Sequence, residues 1–313
     1  MVASVSVGKD VDSKELEYRI GRIDKLEENF PGRRLHDLMY AIKLPSDQLA
    51  KFQLSMLLFC NAALKTCASD AKTLMDNIDR GAFSRDNVTP NGGIVPKNEY
   101  QLEYNLVLST WSQIFRSMNR KSKIFSKVRI FPSVRLKEGV QNNENLVRPH
   151  RTELPHSDSW VDGYWGLNIH MPFFGDTENN GLRYYELIDN SLFNPKMLAR
   201  AKSFEDMQWV LESFRKIEKL FAPPNYFCVS DYLLLHNTYR SDDAKSRISL
   251  DSSVVIGDHC EKMANGEFMD SVPNFGTDTV YLTTVKSGSV IHKQESSQGF
   301  SKLGSVIKQL DYS

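Results

Sequence analysis

The sequence predicts an α+β fold, a double-stranded β-helix or jelly roll of antiparallel strands with flanking helices drawn mainly from the N-terminal third. Three observations carry this expectation. Apolar residues in the first third recur every three or four positions, short β-branched and aromatic runs follow from Lys127, and one amphipathic helical stretch interrupts those runs.

Taken in order, Ser46 and Asp47 precede Leu49, Phe52, Met56, Phe59 and Ala63, the stripe of an amphipathic helix. A second helix is expected through Leu74 and Ile78, and Met56, Cys60 and Met75 read as helix packing. Pro90, Gly92, Gly93 and Pro96 mark Asn87 to Lys97 as a loop, a candidate flap over a site. Tyr100 to Met118 returns to helical spacing through Leu102, Leu106, Trp111 and Phe115. Strands are then expected around Val128 to Leu136, over Tyr164 to Phe174, Tyr226 to His236 and Ser246 to Ile256, and again at Thr279 to Val285. Between them Met207, Val210, Leu211, Phe214, Ile217 and Leu220 predict a helix over Phe204 to Phe221, stopped by Pro223-Pro224. One domain over 1–313 is expected, with a mainly helical part (1–125), a jelly-roll core (126–290) and a C-terminal tail (291–313).

Composition narrows the function. A chain of 313 residues with 41% hydrophobic content can bury a large core. Its 39 basic residues balance 39 acidic ones, so no global field would draw nucleic acid or an anionic membrane surface, and a small-molecule partner is expected with no obligate protein partner. Cys60, Cys67, Cys228 and Cys260 form no CxxC pair, which speaks against a zinc module or a disulfide framework. Met1 to Arg19 has no apolar run behind a basic start, and Leu54 to Leu64 is too short to span a bilayer; the expected location is cytoplasmic.

The chemistry concentrates in Leu154-Pro155-His156-Ser157-Asp158. On an extended chain positions i and i+2 share a face, so His156 and Asp158 can converge on one point, and His236, closing Asp231 to His236, supplies a second imidazole. Two imidazoles and a carboxylate on one face leave the opposite positions of an octahedral iron open for a chelating co-substrate and O₂, although the same set suits zinc. Arg247 decides between them. A turn at Ser241 to Ala244 would return the chain antiparallel beside the metal strand, aiming Arg247 and Ser249 inward to grip a carboxylate.

On these residues the sequence resembles the Fe(II)/2-oxoglutarate-dependent oxygenases of cupin-like fold: the His-x-Asp of His156 and Asp158, the distal His236, and the Arg-x-Ser of Arg247 and Ser249. It is most similar to the phytanoyl-CoA hydroxylase-like branch, through the acidic Asn-Gly turn of Asp176-Thr177-Glu178-Asn179-Asn180-Gly181-Leu182. That branch has a Pro-Gly-Ser-His segment soon afterwards, where this chain has Arg183-Tyr184-Tyr185-Glu186-Leu187. The resemblance implies Fe(II) held by His156, Asp158 and His236, the distal carboxylate of 2-oxoglutarate held by Arg247 and Ser249, and O₂-driven decarboxylation to succinate and CO₂ coupled to oxidation of an unactivated C–H bond. The overall run of the sequence is also similar to the algal kainoid synthases, which implies ring closure on a prenylated glutamate in place of hydroxylation.

Other residues carry weaker signals. Asn168 is a candidate co-substrate contact, and His170, two residues on, competes as a ligand but lacks a following Arg-x-Ser. Arg129, Arg135, Arg148 and Arg151 crowd the approach to His156; Arg135 is the candidate for an anionic substrate group. Trp160, with Tyr164, Trp165, Phe173 and Phe174, reads more readily as core than as a substrate contact. His150, His259 and His292 receive no role. The competing functions are a zinc- or other metal-dependent jelly-roll hydrolase or isomerase, which has no use for a carboxylate clamp, and a non-catalytic binding module, which predicts a missing ligand.

Overall fold

The computed structural model describes residues 7–129, 132–139, 151–162, 164–256, 282–284 and 290–291. Helix α1 (Val7–Asn29) leads into a hairpin of β1 (Gly32–His36) and β2 (Met39–Ile42). Then come α2 (Ser46–Leu64), α3 (Ala71–Asp79) and α4 (Gln101–Ser122). Strands β3 (Phe125–Arg129) and β4 (Ser133–Lys137), the one-turn α5 (Ser159–Asp162), β5 (Leu167–Gly175), β6 (Asn180–Leu187) and β7 (Phe214–Lys216) follow. The chain continues through β8 (Phe227–Asp231), β9 (Leu235–Arg240), β10 (Arg247–Ile256), β11 (Leu282–Thr284) and β12 (Val290–Ile291).

The strands form two antiparallel sheets. The larger runs β1-β2-β8-β5-β10-β3-β11-β12, with β4 beside the first half of β10, and the smaller runs β7-β6-β9. One face of the large sheet carries Tyr40, Ile42, Val134, Leu136, Ile169, Met171, Phe227, Val229, Ile248 and Leu250 into a core shared with α2 and α4. Alternation sends Met39, Ala41 and Cys228 to the opposite side, into a second core with Trp160, Trp165 and Tyr184. The stripe on α2 is buried at Phe52, Met56, Phe59, Cys60 and Ala63, and α3 begins where the Asp70 carboxylate accepts the Thr73 N–H at 2.7 Å.

Several expectations need correction. The first third, expected to be mainly helical, also contributes Gly32–His36 and Met39–Ile42 to the large sheet, with β2 pairing β8. Phe204 to Phe221 is not an α-helix. A 3₁₀ segment spans Glu205–Ser213, after which Phe214 turns extended and pairs with Leu187. Phe204, Met207 and Val210 are buried at a spacing of three, the period of a 3₁₀ helix, which the apolar pattern cannot separate from α over so few turns. The run Tyr226 to His236 is two strands in different sheets, divided by a turn in which the Asp231 carbonyl and carboxylate accept the N–H groups of Leu234 and Leu233. Asn180–Leu187, whose first three residues the sequence placed in a turn, is the central strand of the small sheet. The Asn87 to Lys97 loop is docked on β4: Ile94 N–H donates to Val134 O and Leu136 N–H to Gly92 O, both at 2.8 Å. Of Thr279 to Val285, only Leu282–Thr284 lies within the described residues and is a strand.

Helix α1 is fixed by charge as well as packing. Arg19 and Arg22 are fully buried and pair with Asp231 at the end of β8, Arg19 through Nη1 and Oδ1 at 3.0 Å. Arg19 also pairs with Glu15 four residues before it at 2.9 Å, and Arg22 donates to the Trp165 carbonyl at 2.7 Å. The two guanidinium groups hold the Asp231 carboxyl below its ordinary range despite burial. No helix among the described residues is long and apolar enough to cross a membrane, and Cys60, Cys67 and Cys228 are free thiols.

Candidate metal centre and carboxylate pocket

His156 and His236 exchange both backbone hydrogen bonds, N–H to O at 2.9 Å in each direction. Antiparallel residues paired this way project their side chains from the same face, and the two imidazoles lie side by side with centroids 4.5 Å apart. His156 is further held by stacking on Phe204 at 4.4 Å and by its Nδ1–H, which donates to the Leu154 carbonyl at 2.8 Å and leaves Nε2 with its lone pair. Asp158 does not continue an extended strand. It caps α5, its carbonyl accepting the Asp162 N–H at 2.7 Å, and its carboxylate returns between the rings: Oδ1 lies 3.8 Å from His156 Nε2 and Oδ2 lies 3.8 Å from His236 Nε2. The three candidate ligand atoms all fall within 4.8 Å of one another.

Their electrostatics suit a cation. Burial drives His156 down to about 3 and His236 to about 4, so both rings are neutral near pH 7 and their nitrogens can donate to a metal. Burial also pushes the Asp158 carboxyl up to about 6, with the neighbouring Asp162 and Asp251 carboxylates adding to the rise and Arg135 opposing it.

The triad opens onto a cavity of about 210 Å³ between the sheets. Ser133, Arg135 and Lys137 point into it from alternate positions of β4, His236 and Thr238 from β9, and Arg247, Asp251 and Ser253 from β10. Arg247 does not arrive beside the metal strand, as the sequence implied. The Ser241 to Ala244 turn forms, with Ala244 N–H on Ser241 O at 3.2 Å, but it carries the chain across to the other sheet, where β10 pairs β4 and β5. Arg247 therefore faces the cavity from the opposing wall.

Arg247 is 2% exposed, and its Nε and Nη1 have no hydrogen-bond partner among the described residues; burial lowers it to about 10. The Ser249 hydroxyl is likewise buried and unpartnered. Orphaned donors of this kind cost about 1–3 kcal/mol each, more when charged, so their presence marks a place made for an acceptor. At Gly181 a Cβ would lie 3.0 Å from the Thr177 carbonyl, a tight approach, and 3.9 Å from Arg247 Nη1, an ordinary contact. The acidic turn around it is tied down by Asp176, which accepts the Asn179 and Lys245 N–H groups, and by Asn180, whose amide reaches the Lys137 and Lys245 carbonyls.

Asn168 lines the cavity, and so does Arg135. His170 does not join the triad, since its Nδ1 bonds the Asp251 carboxylate at 2.7 Å. Trp160 lies in the second core, 1% exposed, donating its indole N–H to the Met197 carbonyl at 2.8 Å, and is not among the cavity-lining residues. Arg151 pairs with Glu153 at 2.8 Å. Arg148, His150, His259 and His292 lie outside the described residues, as does the side chain of Arg129. The sequence reading missed Asp251, Lys137, Thr238 and Tyr184. The first three follow by strand alternation from Ser249, Arg135 and His236, a signal that was available. Tyr184 sits directly opposite His236 in the small sheet, with a buried and unpartnered hydroxyl.

No family model and no curated protein matches this chain. Three solved structures align at low similarity. AviO1 from Streptomyces viridochromogenes Tue57 is 13% identical, with 76% of this chain and 94% of that one covered at a TM-score of 0.39. The non-haem α-ketoglutarate-dependent epimerase SnoN from nogalamycin biosynthesis is 11% identical, with 85% and 92% covered at 0.35. An N-substituted L-amino acid dioxygenase from Burkholderia ambifaria AMMD, in complex with α-ketoglutarate, is 10% identical, with 78% and 91% covered at 0.34.

Proposed function

We propose that the protein is an Fe(II)- and 2-oxoglutarate-dependent oxygenase, with its two sheets forming the halves of a double-stranded β-helix. The observation that carries the reading is the unpartnered Arg247, which lines the same cavity as the His156, Asp158 and His236 cluster and has the buried, unpartnered Ser249 hydroxyl two residues along β10. A zinc hydrolase would need the three ligands but would have no use for a desolvated guanidinium in the same cavity.

The residues fit the groups they would hold. Neutral His156 and His236 with ionised Asp158 form the two-nitrogen, one-oxygen set that suits non-haem iron and leaves coordination positions open. When bound, iron with 2-oxoglutarate and O₂ supplies the oxidising power that removes hydrogen from an unactivated C–H bond, with release of succinate and CO₂. The chain does the rest. Arg247 and Ser249 would take the distal carboxylate by charge-assisted hydrogen bonds, Asn168 would contact the co-substrate, and the two facing sheets would hold water away from the reacting carbon.

The substrate proposed is a small metabolite bearing a carboxylate, oxidised by hydroxylation or by radical cyclisation, including kainoid-type ring formation from a prenylated glutamate. This follows the resemblance of the chain to the phytanoyl-CoA hydroxylase-like branch and to the algal kainoid synthases, and gives the protein a place in secondary-metabolite biosynthesis in the cytoplasm. Succinate release from 2-oxoglutarate tests the activity: purified protein with Fe(II), ascorbate and O₂ should release it, faster with amino-acid-like or terpenoid carboxylates, and Asp158→Ala should abolish it. Metal-dependent turnover that persists in Asp158→Ala would sink the assignment.

A further inference from the structure

The co-substrate has two carboxylates, and the proposed reading gives one to Arg247 with Ser249 and the other to the metal centre. A further cationic fork remains in the same cavity. Arg135 stands on β4 directly opposite Ser249 of β10, so its side chain leaves the same face of the sheet as those of Arg247 and Ser249. Its Nε lies 2.6 Å from Asp251 Oδ2, an ion pair, yet the Nε–H has no hydrogen-bond partner among the described residues. Asp251 thus occupies the Nε edge, and the two terminal nitrogens form the fork that can meet a further carboxylate.

Asp251 is itself held from behind. His170, buried, bonds its Oδ1 at 2.7 Å, and His170, Arg135 and Arg247 together keep the Asp251 carboxyl far below its ordinary range. The row His170, Asp251, Arg135 thus fixes a guanidinium at the cavity wall with its side chain 31% exposed. Lys137, two residues along β4, adds positive charge on the same face; of the two acidic groups on the wall besides Asp251, Asp158 belongs to the metal cluster and Asp162 accepts a hydrogen bond from Ser253 at 3.0 Å.

We infer that Arg135 forms a second carboxylate subsite, separate from the Arg247 and Ser249 clamp, that takes a carboxylate of the substrate by a planar bidentate contact. The inference rests on the proposed oxygenase reading and names the group that orients the substrate beside the metal.

The test uses protein loaded with Zn(II) and saturating 2-oxoglutarate, so that the Arg247 clamp is filled, and 4-(trifluoromethyl)benzoate as a probe followed by fluorine NMR. The benzoate should bind, and its neutral methyl ester should bind at least about tenfold more weakly. Arg135→Gln should weaken the benzoate by at least about tenfold, and Arg135→Lys, which keeps the charge and loses the fork, by several-fold. Both variants should bind 2-oxoglutarate within about twofold of wild type without probe, which also shows that the site is folded. If Arg135→Gln weakens 2-oxoglutarate as strongly as the probe, the guanidinium belongs to the co-substrate and the inference fails. It fails too if the probe does not bind, if acid and ester bind alike, or if Arg135→Gln leaves the probe unaffected. Failure of wild type to bind 2-oxoglutarate at all would instead strike the oxygenase reading.

Discussion

Replacing Arg247 with Met separates a binding role from a structural one, because the two predict opposite changes in the empty protein. Burial lowers Arg247 well below the ordinary arginine value, to about 10, and that difference corresponds to about 3 kcal/mol against the cationic form. The group is depressed below its unfolded value, so at pH 7, below both values, the cost is present in full; it is relieved only as pH rises through about 10. Methionine keeps much of the stem and removes the desolvated charge. Free of metal and co-substrate, Arg247→Met should unfold in urea with stability equal to wild type or higher, by up to about 3 kcal/mol. Co-substrate binding should suffer instead: a buried carboxylate left without its cation loses roughly 3 to 5 kcal/mol, two to four powers of ten in Kd. Calorimetric titration of the Zn(II)-loaded proteins with 2-oxoglutarate measures that loss, and metal affinity should stay within about threefold. A variant that binds 2-oxoglutarate within about threefold of wild type, or one that loses stability as an ordinary core substitution does, would refute the reasoning.

Further predictions follow from the same geometry. Metal affinity should fall by about tenfold per pH unit below about 6, where protons compete for the raised Asp158 carboxyl, and stay flat above it, because burial keeps both histidines neutral there; Co(II) titration across pH 5 to 8 reads this, and a fall approaching a hundredfold or more per unit, as competing protons on the histidines would give, would contradict it. Asp231→Asn leaves Arg19 and Arg22 buried without their shared carboxylate and should cost about 3–5 kcal/mol in urea unfolding; a loss under about 1 kcal/mol would show that the cluster holds nothing together. Gly175 has φ +86°, and a Cβ there would lie 2.1 Å from the Ser246 carbonyl beside the start of β10. Gly175→Ala should therefore destabilise by roughly 1–3 kcal/mol, and an unchanged melting temperature would argue against that close approach.

The sequence made the local chemistry legible and left the long-range arrangement hidden. His156, Asp158 and His236 can be picked out because ligand types at i and i+2, followed by a histidine at a strand, are rare in combination, and the structure brings those three together. The reason they converge was misread. Asp158 reaches the site by capping a helical turn, and His236 by an exchange of backbone hydrogen bonds with His156 that no local pattern announces. Arg247 was found by its spacing to Ser249, but its route to the cavity required knowing that the Ser241 to Ala244 turn changes sheets. The hairpin of β1 and β2 escaped notice because Gly32–His36 is largely polar and Met39–Ile42, buried on both faces, shows no alternation. Helix α1 was invisible for a related reason: three of its buried residues, Glu15, Arg19 and Arg22, are charged, and the partners that make their burial tolerable include Asp231 and the Trp165 carbonyl, far along the chain.

Most directly, the visible absorption spectrum of the Fe(II)-loaded protein can be recorded under strict exclusion of oxygen as 2-oxoglutarate is added. If His156, Asp158 and His236 hold iron with neighbouring positions open, a weak metal-to-ligand charge-transfer band should grow in to one equivalent, and should not form in His236→Ala. Folded wild-type protein that binds Fe(II) but gives no band at saturating 2-oxoglutarate would contradict the account.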